Sequence, residues 1–156
     1  MPTVSAHAVD VYPYRTEGDG TASWLVLRRA PGRSEAGRWR MVGGKIQGGE
    51  AAWQTALREL GEETGWRLGA GLREAWALPS VNAFYEAATD RVVLAPAFAV
   101  HVEGDPTLDD EHDAFAWLPA EAAAARLAWP EQARLLVLAA RLAEAARPEA
   151  WTVPPR

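Results

Sequence analysis

Apolar residues run in short or alternating blocks along much of the chain, and these blocks predict β-strands separated by turns. Turn signals stand between several of them, at residues 17–20 and 88–91. Pro96 interrupts the longest block, which indicates an edge strand or a bulge. The predicted strands are residues 4–14, 23–29, 73–79, 83–87, 92–102 and 114–118.

Three other stretches favour helices. The first begins at Ala51, the second spans residues 119–127 and begins with a proline, and the third spans residues 131–146. Apolar residues recur at helical spacing in the first and third, which predicts one face packed on a core. Those stripes are Trp53, Ala56, Leu57 and Leu60, and Leu135, Leu138, Ala139 and Leu142.

The order of these elements, with strands first, a helix in the middle and helices at the end, predicts an α+β layered fold. The chain has 156 residues, of which 49% are hydrophobic and 24% charged, as expected for one globular domain. No repeat or linker divides it. We therefore expect a single domain at residues 1–147, followed by a loosely held proline-rich tail at residues 148–156.

Composition excludes several kinds of protein. The absence of cysteine excludes disulfides, zinc–thiolate sites and thiol nucleophiles. A net charge of −5 argues against binding to a nucleic-acid polymer. No apolar run approaches the roughly 20 residues of a membrane span, and the N-terminus lacks a signal-peptide core. We expect a soluble, cytoplasmic protein with no membrane partner.

The segment at residues 44–66, GKIQGGEAAWQTALRELGEETGW, carries the candidate chemistry. Its glycine-rich beginning favours a loop whose backbone can approach a ligand closely. Glu59, Glu62 and Glu63 follow at helical positions i, i+3 and i+4, so their carboxylates project from neighbouring positions of one helix. Three such carboxylates repel each other unless a cation lies among them, and hard oxygen ligands select Mg²⁺ or Mn²⁺.

The simpler alternative is a solvated acidic helix face. Two details argue against it. The carboxylates lie near the C-terminal end of the helix, where the macrodipole disfavours anions. Gly61 lies among them, although glycine costs about 1 kcal/mol relative to alanine inside a helix. Both features predict a metal site.

The full pattern of the segment, G-x5-E-x7-R-E-U-x-E-E-x-G-U with U a bulky apolar residue, resembles the box of the Nudix hydrolase family. The preceding residues 39–44 also match the W-x-x-P-G-G that is common there, except that Val42 replaces the proline. The resemblance implies a Nudix fold, in which a mixed β-sheet is sandwiched between α-helices. It also implies a Mg²⁺- or Mn²⁺-dependent enzyme that hydrolyses phosphoanhydrides.

The resemblance implies roles for the matching residues. Glu59, Glu62 and Glu63 take the position of metal ligands, and the carbonyl of Gly43 completes such a shell. A further carboxylate from a downstream loop is implied, and Glu111 is the candidate, against the alternative of a solvated acidic loop. The other fixed positions of the box are expected to be structural, with Glu50 and Arg58 ordering loop and helix through a charge-assisted contact. These structural positions are Gly44, Glu50, Arg58 and Gly65.

Hydrolysis of a phosphoanhydride requires a base for the attacking water and cations for the phosphates. Glu59, Glu63 and Glu111 are all candidate bases, and the sequence does not choose between them. Arg29, Arg40 and Lys45 are the candidate phosphate ligands, with a surface role as the alternative. Aromatic residues could stack on a base or pterin, or belong to the core: these are Trp39, Phe84, Tyr85 and Trp129. The three histidines are predicted to have no catalytic role, His112 as a polar loop residue and His7 and His101 as structural residues.

The predicted function is hydrolysis of a nucleoside triphosphate, or a nucleotide-like triphosphate such as dihydroneopterin triphosphate, to pyrophosphate and a monophosphate. The region around Glu111 and Trp117 resembles dihydroneopterin triphosphate and deoxynucleoside triphosphate pyrophosphohydrolases. One alternative keeps the chemistry and changes the substrate to a dinucleoside polyphosphate or ADP-ribose. Another is a catalytically dead nucleotide-binding module. A homodimer is left open.

Overall fold

The computed structural model describes residues 1–156 and contains ten strands and three α-helices. The strands are β1 (Thr3–Ser5), β2 (Ala8–Thr16), β3 (Ala22–Arg29), β4 (Trp39–Arg40), β5 (Val42–Lys45), β6 (Arg67–Leu68), β7 (Gly71–Glu86), β8 (Arg91–Val102), β9 (His112–Leu118) and β10 (Thr152–Val153). The helices are α1 (Ala52–Thr64), α2 (Ala120–Arg126) and α3 (Pro130–Ala143). None of the helices is long and apolar enough to cross a membrane.

All ten strands belong to one mixed sheet, whose main path runs β10–β7–β8–β2–β3–β4. The pair β2 and β8 is parallel, whereas β7 and β8, and β3 and β9, are antiparallel. Alternation along β2 divides the core in two: Val9 and Val11 join one apolar cluster, and Tyr12 and Tyr14 join the other. The first cluster contains Leu60 of α1 and the second contains residues of α2 and α3. The sheet therefore lies between helices, which confirms the predicted α+β Nudix fold.

Two predicted strand boundaries were wrong. The first predicted strand is divided at residues 6 and 7, because β1 pairs with β8 whereas β2 pairs with β3, β5 and β8. The two short strands predicted at residues 73–79 and 83–87 form the single strand β7, because pairing with β8 continues on both sides of an irregularity between Ala77 and Val81. Pro96 pairs opposite Val81 beside that irregularity, which confirms the predicted bulge. The alternative prediction, that Pro96 marks an edge strand, is wrong because β8 lies between β7 and β2.

The predicted glycine-rich loop is shorter than expected. Gly43, Gly44 and Lys45 belong to β5, which pairs antiparallel with residues 8–11 of β2. The pairing is favoured because Gly43 lacks a Cβ, which would lie 2.5 Å from the carbonyl oxygen of Val9. The loop proper begins after the backbone N–H of Ile46, which donates to the carbonyl of His7.

The C-terminal tail is not loosely held, contrary to the prediction. It forms a short 3₁₀-helix at Glu149–Trp151 and then β10, which pairs with Trp76 and Ala75 of β7. Val153 is buried in the same apolar cluster as Leu60. Helix α3 ends three residues before its predicted end, where the guanidinium of Arg147 donates to the carbonyls of its last turn.

Candidate active site

Strand β5 and helix α1 bring the glycines and carboxylates of the central segment together. A Cβ on Gly44 would lie 2.7 Å from Oε2 of Glu59 and closer still to the rest of that carboxyl group. The backbone N–H of Gly43 donates to Oε2 of Glu63 at 3.0 Å. The glycine at position 44 therefore lets the Glu59 carboxylate approach β5 directly, and the Gly43 backbone holds Glu63.

The three α1 carboxylates have different environments. Glu59 is mostly buried and Glu63 is almost fully buried, and both line a cleft between the sheet and α3. Glu62 is half exposed, does not line this cleft and pairs with Arg58 at 3.3 Å. The structure therefore brings Glu59 and Glu63 together and leaves Glu62 on the solvent side of α1. The predicted role of Glu62 as a metal ligand stays a prediction.

Arg58 connects the loop before α1 to the helix. Its Nε donates to Oε1 of Glu50 at 2.7 Å, and its Nη2 donates to Oε2 of Glu50 and to the backbone carbonyl of Lys45, both at 3.1 Å. Its Nη1 donates to Glu59 at 3.0 Å. The Arg58 hydrogen bond, followed by that of Thr55, lowers the pKa of Glu50 from 4.5 to about 2. The geometry is the charge-assisted contact predicted for this pair.

Gly61 has a packing reason that the sequence did not reveal. It is buried, and a Cβ there would lie 2.5 Å from Nη1 of Arg67. The guanidinium of Arg67 therefore covers the helix at this position, and the glycine provides room for it. This contact is one reason for a glycine at this position, although the exposed end of the Arg67 side chain could also move aside.

His112 was predicted to be a polar loop residue, and this was wrong. It begins β9, and its side chain is fully buried because β9 pairs with β3 over the base of the cleft. Its Nδ1 lies 2.9 Å from Oδ1 of Asp109, while its Nε2 lies 3.5 Å from Oε1 of Glu63 and has no hydrogen-bond partner. Burial lowers the pKa of His112, against the opposing effect of Asp109. A neutral imidazole therefore lies directly behind Glu63.

Burial also changes the titration of the two cleft carboxylates on α1. Desolvation raises the pKa of Glu63 well above its usual value, against the opposing hydrogen bond from the Gly43 N–H. Desolvation likewise raises the pKa of Glu59, with Arg58 opposing and Glu62 and Glu111 contributing to the rise. Each carboxylate is thus held where its negative charge is poorly solvated, which favours a nearby cation.

Glu111 lines the same cleft, as its predicted role requires. Its carboxylate lies 3.7 Å from Nη1 of Arg29 and 3.8 Å from Nη1 of Arg33, and its backbone carbonyl accepts from the N–H of Ala30. Arg33 was not predicted. It comes from the loop after β3 and also pairs with Asp110 at 3.0 Å, so it orders the acidic loop rather than the cleft wall.

All three predicted phosphate ligands, Arg29, Arg40 and Lys45, line the cleft. Nε of Arg40 is buried without a hydrogen-bond partner, so a donor is available there. The cleft has a volume of about 820 Å³. A second groove of about 520 Å³ lies on α2 and α3, but no carboxylate lines it. The larger cleft is therefore the candidate active site.

Three of the four candidate aromatic residues, Phe84, Tyr85 and Trp129, also line the cleft, and all three are exposed. Trp39 does not line it. Its ring packs on the α2–α3 side of the core, with the guanidinium of Arg126 5.0 Å from the ring centre, which agrees with the core alternative.

The two remaining histidines differ. His101 stacks on Tyr14 with ring centres 4.8 Å apart, as a structural residue does. His7 lines the cleft, with its Nδ1 2.8 Å from Oγ of Ser5.

Sequence reasoning missed the partly exposed Glu131 and three further polar residues in the cleft, Asp10, Asn82 and Gln132. All three are buried. Burial raises the pKa of Asp10, and the hydrogen bonds from Asn82 and Gln132 oppose that rise. An aspartate and an asparagine inside otherwise apolar strands are the only signal that could have revealed them.

The donor set of the cleft fits a hard divalent cation. Glu59, Glu63 and Glu111 offer oxygen ligands only, and Oε1 of the buried Glu63 accepts no hydrogen bond. No group of three or more acidic or histidine side chains lies close enough together to hold a metal ion. The carboxylates therefore suit Mg²⁺ or Mn²⁺ in kind, and Mg²⁺ is commonly held by one or two carboxylates together with waters and substrate phosphates.

Comparison with known proteins places this architecture in a family. A family model described as the NUDIX domain matches residues 4–139. The chain therefore belongs to the Nudix family, and this confirms the prediction of a Nudix enzyme, a pyrophosphohydrolase. Enzymes of this family generally use divalent metal ions.

Solved structures agree on the fold. A NUDIX hydrolase of Listeria monocytogenes is 23% identical, with a TM-score of 0.73 over 90% of this chain and 95% of the other. The dihydroneopterin triphosphate pyrophosphohydrolase of E. coli is 22% identical, with a TM-score of 0.72 over 88% and 97%. An Ap4A hydrolase of C. elegans is 23% identical, with a TM-score of 0.66 over 88% and 99%.

A curated relative is an octanoyltransferase of Myxococcus xanthus, which is 40% identical over 108 residues. The match covers 66% of this chain but only 28% of the relative.

Proposed function

We propose that this protein is a Mg²⁺-dependent hydrolase of a nucleoside triphosphate, or of a nucleotide-like triphosphate such as dihydroneopterin triphosphate. It cleaves a phosphoanhydride bond and releases pyrophosphate and a monophosphate. One observation carries the proposal: the carboxylates Glu59, Glu63 and Glu111 line the same cleft as the basic side chains of Arg29, Arg40 and Lys45. A polyphosphate needs both, cations to neutralise its charge and a base to activate water.

Each group of side chains has a distinct task. Arg29, Arg40 and Lys45 bind phosphate oxygens. Glu59, Glu63 and Glu111 would hold Mg²⁺, with the Gly43 carbonyl as a further ligand, and one of these carboxylates would accept the proton of the attacking water. When bound, Mg²⁺ supplies charge neutralisation and lowers the pKa of a bound water.

The buried side of the site keeps Glu63 in place. The Gly43 N–H holds one oxygen of Glu63, and neutral His112 lies behind the other, so the carboxylate has little freedom to turn away. The half-exposed Glu62 is proposed as an additional ligand, as its position in the motif implies. The fixed contacts of Glu50 with Arg58 keep the loop in register with α1.

The substrate and the chemistry can be tested together. The purified protein is incubated with Mg²⁺ and, separately, with the nucleoside triphosphates, dihydroneopterin triphosphate, diadenosine tetraphosphate and ADP-ribose. Phosphate and pyrophosphate are assayed separately. We expect pyrophosphate from one triphosphate, no turnover in EDTA, and a loss of at least about 100-fold in Glu63→Gln. Glu121→Gln, an exposed glutamate of α2, is the matched control and should keep full activity.

The other outcomes separate the alternatives. Turnover of diadenosine tetraphosphate or ADP-ribose alone would keep the site and change the substrate; the Ap4A hydrolase of C. elegans shares the fold. Nucleotide binding without turnover of any compound would indicate a binding module. Full activity of Glu63→Gln would contradict the proposed site.

A further inference from the structure

The cleft contains a second polar group that the proposed chemistry does not use. Asp10 on β2, Asn82 on β7 and Gln132 in the first turn of α3 are each more than nine-tenths buried, and all three line the cleft. They are far apart in the sequence but belong to one hydrogen-bonded chain, which also includes the backbone of Met41.

The donors and acceptors of this chain fix the orientation of both amides. The backbone N–H of Met41 donates to Oε1 of Gln132 at 3.2 Å, and Nε2 of Gln132 donates to Oδ1 of Asp10 at 3.2 Å. A backbone N–H can only donate, so the oxygen of the Gln132 amide must face Met41 and its nitrogen must face Asp10.

The same reasoning orients Asn82. Its Nδ2 donates to Oδ2 of Asp10 at 2.7 Å, and a carboxylate can only accept. The opposite end of the amide, Oδ1 of Asn82, is therefore held away from Asp10 as an acceptor. This oxygen is buried and has no hydrogen-bond partner. Buried polar atoms are seldom left unpaired, so this oxygen is an acceptor for a partner that the protein itself does not supply, either a water or a ligand.

The surroundings indicate what that partner is. Phe84 lies two residues from Asn82 on the same face of β7, and the Trp129 ring lies at the N-terminus of α3; both line the cleft and are partly exposed. Opposite Asn82 on β8 is Ala95, a buried small residue that leaves room for a flat ring. Exposed aromatic rings around a fixed polar atom suit a planar heterocycle.

We propose that Asn82 determines substrate specificity, by accepting a hydrogen bond from an amino group of the heterocyclic base, and that Asp10 and Gln132 are positioning residues that hold its amide. This inference rests on the proposed function, because it concerns the base of the same substrate. The ligand class is a nucleotide-like phosphate whose ring carries an exocyclic amino group.

The test uses pairs of substrates that differ only in that group. The kcat/KM of the full chain is measured for dGTP and dITP, and for dATP and the triphosphate of purine deoxyriboside. In at least one of the two pairs, the wild type should have a kcat/KM at least about tenfold higher for the substrate with the amino group, because the substrate without it leaves Oδ1 of Asn82 unpaired. Asn82→Leu should reduce that preference to about twofold or less. A preference below about twofold in both wild-type pairs would overturn the inference.

Two further variants separate specificity from folding. Asp10→Asn replaces one of the two carboxylate oxygens with an N–H₂ donor, so position 10 can no longer accept from both Asn82 and Gln132 through separate oxygens. The Asn82 amide is then no longer fixed, and the preference should fall although Asn82 is still present. Ala83→Leu places the same leucine at the exposed neighbouring position of β7 and should keep the wild-type preference. An undiminished preference in Asn82→Leu, or an equal loss in Ala83→Leu, would contradict the assignment.

Binding of non-hydrolysable α,β-methylene analogues of the same pairs, measured by calorimetry, distinguishes this inference from the proposed function. If no triphosphate is hydrolysed but the analogues bind with the wild-type preference and Asn82→Leu loses it, the inference stands and the proposed activity fails. If triphosphates are hydrolysed without any such preference, the proposed activity stands and the inference fails.

Discussion

The close approach of Gly44 to Glu59 gives a sharp test of the proposed metal site. In Gly44→Ala, the new methyl group would lie 2.7 Å from Oε2 of Glu59 and nearer still to the other carboxyl atoms, whereas ordinary contacts begin at 3.4 Å. The backbone is not strained, because Gly44 lies in β5 and has no positive φ. The change therefore acts on one carboxylate and little else.

The size of the effect follows from this overlap. The Glu59 carboxylate must move by on the order of 1 Å, and a displacement of that size at a reacting centre costs about 100-fold in rate. We expect Gly44→Ala to lower kcat/KM by about 100-fold and to weaken the binding of Mn²⁺, measured by electron paramagnetic resonance. The free energy of unfolding should change by less than about 1 kcal/mol, because Glu59 moves towards the open cleft.

Gly48→Ala is the matched control. Gly48 lies in the loop after β5, its φ is not positive, and a Cβ there would meet nothing within 4 Å. It should therefore behave as the wild type in rate and in Mn²⁺ binding. The reasoning would be refuted if Gly44→Ala kept its rate and Mn²⁺ affinity within about threefold of wild type, or if Gly48→Ala lost as much.

Two other predictions concern stability. The hydrogen bond from Arg58 lowers the pKa of Glu50 from 4.5 to about 2 in the folded protein, so this contact stabilises the fold above pH 4.5 and is lost as the pH falls towards 2. Glu50→Gln should therefore lower the free energy of unfolding near pH 6, and it should flatten the dependence of that free energy on pH between 4.5 and 2. Urea titrations that give a pH profile parallel to that of the wild type would contradict this. Val153→Ala should destabilise the protein by about 1–2 kcal/mol, because this β10 side chain is buried in the apolar cluster that contains Leu60. Val4→Ala, at a residue that is 70% exposed, should cost less than about 0.5 kcal/mol. Equal effects of the two changes on thermal unfolding would mean that the tail is not packed.

The central segment shows how far a local pattern can be interpreted. The spacing of Trp53, Ala56 and Leu60 predicted α1 and its buried face, because helical periodicity depends only on neighbouring residues. The same spacing placed Glu59 and Glu63 on adjacent turns. It could not show that Glu62 points to solvent, because that depends on where the sheet covers the helix.

Interactions between distant parts of the chain could not be read from any local pattern. His112 reaches Glu63 only because β9 pairs with β3, and Val153 is buried only because β10 pairs with β7. The prolines near the C-terminus suggested a free tail, but two residues of strand pairing and one buried side chain hold it. Tertiary pairing decided both.

The sequence alone determined the fold family and the helix that carries the carboxylates, because both depend on local periodicity and on a contiguous motif. The tertiary structure decided which carboxylates face the cleft and which polar groups meet there. Asp10, Asn82 and Gln132 come from β2, β7 and α3, and only the packing of α3 across the sheet joins them in one hydrogen-bonded chain. The motif thus defines the chemistry locally, whereas recognition of the substrate depends on contacts between segments that are remote in sequence.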